Sequence, residues 1–159
     1  MSELICVGKI KEKPLAKLID DYCDKIRHID KSFTVKEVTA SIVKNEDDLA
    51  SIEQAKDEEA IRLLDKISND DFVVLVDLHG KQVKSETLIT WLETANMNYK
   101  GRLRFVIAGS YGYGQAIIDR ANVRWSLSEC TFLHTMTRLL VIEQIYRMYM
   151  IQNNRKYHK

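Results

Sequence analysis

VRWSLSECTFLHTMTRLLVIEQIYRMYM, from Val123 to Met150, is the segment around which the chain is organised. It opens as a short strand-like run, passes through a polar turn and continues into the longest strongly apolar helical pattern of the chain. On a helical wheel His134 and Arg138 share one side, one turn apart, and Val141 and Ile145 extend that line. Glu143 and Arg147 form an i,i+4 pair nearly opposite, and Leu139, Leu140, Ile142, Tyr146, Met148 and Met150 fill most of the remaining circumference. A helix that is apolar almost all round requires packing partners on both sides. Two basic-capable side chains in its first turns are therefore either paired within the core or an interface, or they line a polar site.

Upstream of this stretch the chain alternates between strand-like and helix-like patterns. RLRFVIA, Arg102 to Ala108, reads as a strand; the glycine-rich turn GSYGYG, Gly109 to Gly114, follows it and leads into a short helix, QAIIDRAN. FVVLVDL, Phe72 to Leu78, is the clearest central strand, because a continuous apolar run suits a parallel sheet covered on both faces. His79 and Gly80 are placed at its carboxyl end, and Val83 to Met97 reads as a helix. Nearer the start, Leu4 to Val7 is a short buried strand ended by Gly8, and Pro14 stands in the first turn of the next helix, where no amide partner is missed. Phe33, Val35 and Val38 alternate with polar residues as in a half-exposed strand. From Asp47 the pattern of Leu49, Ile52, Ala55, Glu59, Leu63, Leu64 and Ile67 predicts a long amphipathic helix with acids in its first turns. Strand and helix in alternation predict an α/β layer fold, a mostly parallel sheet with helices on both faces.

The 159 residues suit a single domain, 1–159, and no proline- or glycine-rich linker divides them. Apolar content of 45%, charged content of 30% and a formal charge of +1 are ordinary for a folded soluble protein. Lys9, Lys11, Lys13 and Lys17 make a local basic patch that reads first as a solvated face. Cys6, Cys23 and Cys130 are odd in number, widely spaced and without CxxC, so reduced cysteines are expected and neither a disulfide framework nor a metal site is. No apolar run approaches transmembrane length and none resembles a signal peptide, which gives the expectation of a cytoplasmic protein without membrane contact.

Ligands of open α/β sheets lie beyond the carboxyl ends of the strands. Three such ends carry distinctive chemistry here: Asp77 to Gly80, Ala108 to Gly114 and Ser128 to Phe132. GSYGYG lacks the spacing of the dinucleotide fingerprint and the lysine of a P-loop, so NAD and ATP are poorly supported. Tyr111 and Tyr113 either stack on a base or cover the glycine turn.

VGKIKEK near the start, the VIAGS strand end, SxSxxTFxH over Ser126 to His134, RLLVIEQIYR over Arg138 to Arg147 and the terminal YHK stand in one order along the whole chain. In this the sequence resembles the SPOUT-class RNA methyltransferases, specifically the small bacterial 23S rRNA pseudouridine N3-methyltransferase family (RlmH). The resemblance implies a trefoil knot within about 103–159, an exception to the rule of unthreaded connections. It also implies S-adenosylmethionine as cofactor, a homodimer, and methyl transfer to N3 of a pseudouridine in large-subunit rRNA of the assembled ribosome. Carried over by motif, Val76, Ala108, Leu127, Ser128, Glu129, Cys130, Thr131 and Phe132 would hold the cofactor. The loop would do so through backbone groups, with Leu127 and Phe132 packed on adenine. His134, Arg138, Tyr157 and His158 would lie near the methyl-transfer site, with the tail supplied across the dimer.

The chain departs from the family pattern at four places. Ala108 stands for the first of two glycines, Leu133 for a proline, and Glu129 where lysine is common. The tail reads Asn153, Asn154, Arg155, Lys156 ahead of Tyr157 and His158. A catalytically silent or retargeted RNA- or ribosome-binding relative is the alternative reading. In the active reading His158 acts as base or positioning group, Arg138 as a phosphate or base-edge clamp, and His134 orients either.

Overall fold

The computed structural model describes residues 1–155. Strands β1 (Ser2–Val7), β2 (Thr34–Val38), β3 (Phe72–Gln82), β4 (Leu103–Ile107) and β5 (Val123–Ser126) alternate with helices α1 (Lys13–Arg27), α2 (Leu49–Leu64), α3 (Thr87–Asn98), α4 (Gln115–Arg120) and α5 (His134–Gln152). The sheet order is β2-β1-β4-β3-β5, and each of its strand pairings is parallel. β1 and β4 are buried along their whole length, as continuous apolar runs covered on both faces should be. β2, at the sheet edge, is largely exposed and buries only its last residue, Val38.

Helices cover both faces. On one side Ile19, Cys23 and Ile26 of α1, Leu88, Trp91 and Leu92 of α3, and Val141, Ile142, Ile145 and Met148 of α5 close over Leu4, Phe105 and Trp125. On the other, Ala60 and Leu63 of α2 and Ile117 of α4 cover Ile5, Val73, Leu75 and Val106. Pro14 sits in the first turn of α1, as its missing amide dictates. At the amino ends of the strands Arg104 bonds Asp71 (Nε–Oδ2 2.8 Å) and pairs with buried Glu3, which also accepts Lys36.

Three local expectations are corrected. The first turn of α2 carries no acid; Asp48 precedes it and caps it, its side chain accepting the Ala50 amide at 3.1 Å. β3 does not end at His79 and Gly80. Its ladder with β5 breaks after Val76↔Trp125 and resumes at Lys81↔Trp125 and Gln82↔Ser126, so 77–80 form a bulge. A Cβ on Gly80 would lie 2.5 Å from the carbonyl carbon of Arg124, and only glycine allows the bulge to return to the sheet. Because 81–82 are held in the ladder, α3 begins at Thr87 rather than Val83.

α5 buries Arg138, Val141, Ile142, Ile145, Met148 and Tyr149 against α1, α3 and the sheet. The opposite side is only half covered: Met136 is exposed, Leu140 half-buried, and the Glu143–Arg147 pair closes at 2.7 Å.

Candidate cofactor cleft and active site

Pairing between β3 and β4 stops at Leu75↔Val106, and the two strands part beyond it. The opening is a cleft of about 750 Å³. Val76 and residues 77–79 of the β3 bulge, Ala108 and the turn 109–113, the loop after β5, and His134 and Thr137 from the start of α5 form its walls. The three strand ends singled out in the sequence thus converge on one space. Val76, Ala108, Leu127, Ser128, Cys130, Thr131 and Phe132 all line it, whereas Glu129 is exposed and stands outside the lining.

The loop after β5 is held by its own serines. Ser126 Oγ donates to the Ser128 carbonyl at 2.8 Å, and the Cys130 amide donates to Ser128 Oγ at 3.0 Å. Leu127 packs against the core, while Phe132 is 41% exposed at the mouth. Leu133 has φ −57° and ψ 137°, the φ that a proline ring would impose, so the backbone keeps its course without one. Ala108 is buried among Val7, Val106 and Tyr113.

Two groups named in the sequence, but not for this part, organise the walls. The buried Tyr113 hydroxyl accepts the Ala108 amide at 3.2 Å. It faces the carbonyls of Val106 at 2.7 Å and Val76 at 2.8 Å, with one proton to share between them. It bridges β3 and β4 where their own ladder has ended, and burial pushes its phenol well above the ordinary range. Tyr113 therefore does more than cover the turn; Tyr111 instead donates to Glu46 at 2.9 Å. The second group is Asp77, whose Oδ1 accepts the His79 amide at 3.0 Å and whose Oδ2 accepts Arg124 Nε at 2.7 Å and Nη2 at 2.5 Å. An aspartate on one strand end and an arginine 47 residues later leave no local signature. Their meeting depends on β5 lying beside β3.

His134 is half-buried on the cleft wall. Arg138, one turn on, is 3% exposed and belongs to the core: Nη1 bonds Glu37 Oε1 at 2.5 Å and Nη2 donates to the Gly8 carbonyl at 2.9 Å. Gly8 has φ +83°, which lets the chain leave β1 with that carbonyl aimed at α5. The structure thus brings His134 to the cofactor candidates and does not bring Arg138 there. Tyr157 and His158 lie outside the described residues.

The cysteines are free. Burial pushes the Cys6 thiol up to about 12, against the opposing pull of Arg138, and that of Cys23 to about 11, so neither supplies a thiolate near neutral pH. Cys130 lines the cleft, with its amide already bonded to Ser128. Among the described residues no group of histidine, cysteine and acidic side chains is placed to hold a metal, and no helix is long and apolar enough to cross a membrane.

A family model described as "Predicted SPOUT methyltransferase" matches residues 1–158. Proteins named "Ribosomal RNA large subunit methyltransferase H" are similar along almost their entire length. That of Malacoplasma penetrans (strain HF-2) is 37% identical, covering 99% of this chain and 98% of its own. That of Desulforamulus reducens is 36% identical, with 98% and 97% covered. That of Streptococcus mutans serotype c is 37% identical, with 99% and 98% covered. With an all-parallel α/β sheet and one cleft gathered at its carboxyl end, the chain belongs to the SPOUT methyltransferase family.

Proposed function

We propose that this protein transfers a methyl group from S-adenosylmethionine to N3 of a pseudouridine in 23S rRNA, acting on the large subunit of the assembled ribosome. The observation that carries the reading is the convergence of Val76, Ala108 and the Leu127–Phe132 loop on one cleft. Relatives named as large-subunit ribosomal RNA methyltransferases support the choice of substrate.

The residues present fit an adenosyl group. The cleft has the volume of a small-molecule site. Leu127 and Phe132 offer apolar surface to a heterocycle, and the backbone polar groups of Thr131 and Phe132 have no backbone partner among the described residues. When bound, S-adenosylmethionine supplies an electrophilic methyl on a sulfonium. The protein's share is alignment, exclusion of water and management of one proton. N3 of the ring must lose its proton for attack on the methyl carbon, and a neutral imidazole can accept it. His134 stands on the cleft wall for that part or for orienting the base; His158 and Tyr157 are the candidates in the tail. Arg138, held by Glu37 and Gly8, fixes the start of α5 beneath His134 and the loop after β1 beside it.

A second copy of the chain is proposed to cover the outer face of α5, where exposed Leu133 and Met136 and half-buried Leu140 recur at helical spacing. The knot is proposed within 103–159, and the protein is placed in the cytoplasm with its ribosomal substrate.

Ribosomes and matched naked rRNA, each incubated with protein and labelled cofactor and then read by mass spectrometry, test the proposal. One methylated pseudouridine, formed on ribosomes in preference to naked RNA, is expected. Cofactor binding in calorimetry without methylation of either RNA would favour the silent or retargeted relative, which the altered tail and Glu129 keep as the second reading.

A further inference from the structure

The cleft holds two permanent cations, Lys56 and Arg124, and one acid, Asp77. Lys56 is engaged by Glu53 at 2.8 Å on the surface of α2. Asp77, 8% exposed, spends Oδ2 on two nitrogens of Arg124 and Oδ1 on the His79 amide. The Arg124 side chain remains 38% exposed on the cleft, and its Nη1 has no partner among the described residues. Asp77 therefore fixes one edge of the guanidinium and leaves the other presented. β3 and β5 set both ends of this arrangement, since Leu75↔Arg124 are ladder partners and Gly80 packs on the Arg124 backbone.

We infer that Arg124, oriented by Asp77, is the subsite for the α-carboxylate of the cofactor's amino-acid tail. The inference rests on the adenosyl reading of the cleft. A guanidinium held along one edge still offers N–H donors to one planar anion, and a carboxylate matches them. The charge count decides between anions. Glu53 offsets Lys56 and Asp77 offsets Arg124, so the pairs leave no surplus of positive charge for a run of RNA phosphates, which bind through several cations at once, whereas a single carboxylate needs only the N–H donors that Arg124 still presents. Arg124 is thus a ligand-binding residue and Asp77 a positioning residue.

Calorimetry on the full chain tests this with two probes. S-Adenosylhomocysteine carries the carboxylate; 5′-methylthioadenosine keeps the adenosine and thioether but lacks the amino-acid tail. Arg124→Ala is expected to weaken S-adenosylhomocysteine by about tenfold to a hundredfold, the worth of a charge-assisted hydrogen bond. It should leave 5′-methylthioadenosine within about twofold, since no contact to that probe is removed. Asp77→Asn with Arg124→Ala removes the stranded carboxylate, and the selective loss should persist in it. Equal loss for both probes, recovery in the double variant, or a loss confined to RNA affinity would each overturn the assignment. If the unaltered protein binds neither probe, the adenosyl reading itself falls, and the subsite with it.

Discussion

At the scale of single residues, two tyrosine hydroxyls hold the ends of the sheet. Tyr113 accepts the Ala108 amide and shares its one proton between the Val106 and Val76 carbonyls, where β3 and β4 part. Tyr113→Phe strands these buried groups and is expected to cost about 2–3 kcal/mol, the desolvation penalty of unpaired polar groups. Urea unfolding measures it, and an unchanged midpoint would show the hydroxyl to be dispensable. At the opposite end, Tyr149 of α5 donates to Asp30 Oδ2 at 2.6 Å and lies 2.9 Å from Ser2 Oγ. Burial pushes the Asp30 carboxyl up, but hydrogen bonds from Ser32 and Tyr149 outweigh it and hold the group below its ordinary value. A carboxyl with a depressed folded value contributes stability that is complete above about pH 4 and is lost as pH falls through the folded value. Tyr149→Phe should therefore lower unfolding free energy by about 1–2 kcal/mol near neutral pH, and by less at an acid pH below the ordinary aspartate range, as the folded value is approached. A deficit that stays constant between the two pH values would remove the carboxylate from this account.

At the scale of elements, the position of α5 depends on one buried cation. Arg138 ties the helix to Glu37 at the end of β2 and to the Gly8 carbonyl after β1. Arg138→Met should destabilise by about 2 kcal/mol, less than the loss on breaking a fully buried pair because Glu37 can regain water. Adding Glu37→Gln should recover part of that cost, a coupling that a double-mutant cycle in urea resolves. Simple additivity would mean that the pair contributes nothing jointly. The β3 bulge makes a second demand. Gly80→Ala brings a methyl to within 2.5 Å of the Arg124 backbone, so strand β5 must shift. Because Arg124 and the cofactor loop follow from β5, a loss of about 2 kcal/mol or more is expected together with weaker cofactor binding. Full stability and affinity in this variant would show that the bulge tolerates a side chain.

At the scale of the whole molecule, the proposed dimer rests on the outer side of α5. Met136 is 43% exposed and Leu133 62%, with Phe132 beside them at the cleft mouth. If two copies bury this face, sedimentation at micromolar concentration gives a dimer, and the unfolding midpoint rises with protein concentration. Met136→Glu together with Leu140→Glu should shift the protein to monomer at these concentrations, because burying two unpaired carboxylates costs several kcal/mol. A monomer before substitution, at all concentrations, would sink the interface.

Read by itself, the sequence determined the alternation of strands and helices, because burial on two faces leaves continuous apolar runs and burial on one leaves a period. It also singled out three strand ends, from Asp77, Ala108 and Ser128, since glycine and polar residues break the apolar runs there. The family motif picked out a loop, Leu127 to Phe132, that lines the cleft at every position but Glu129. Only the tertiary structure decided that Arg138 turns into the core and His134 onto the cleft, although they share a helix side, because Glu37 and Gly8 come from distant parts of the chain. It alone revealed Tyr113 as a bridge and Asp77 as the partner of Arg124, and it extended β3 past Gly80. Periodicity records which side of an element is apolar; pairings between polar atoms depend on strand order, and strand order is fixed by contacts that no local pattern encodes.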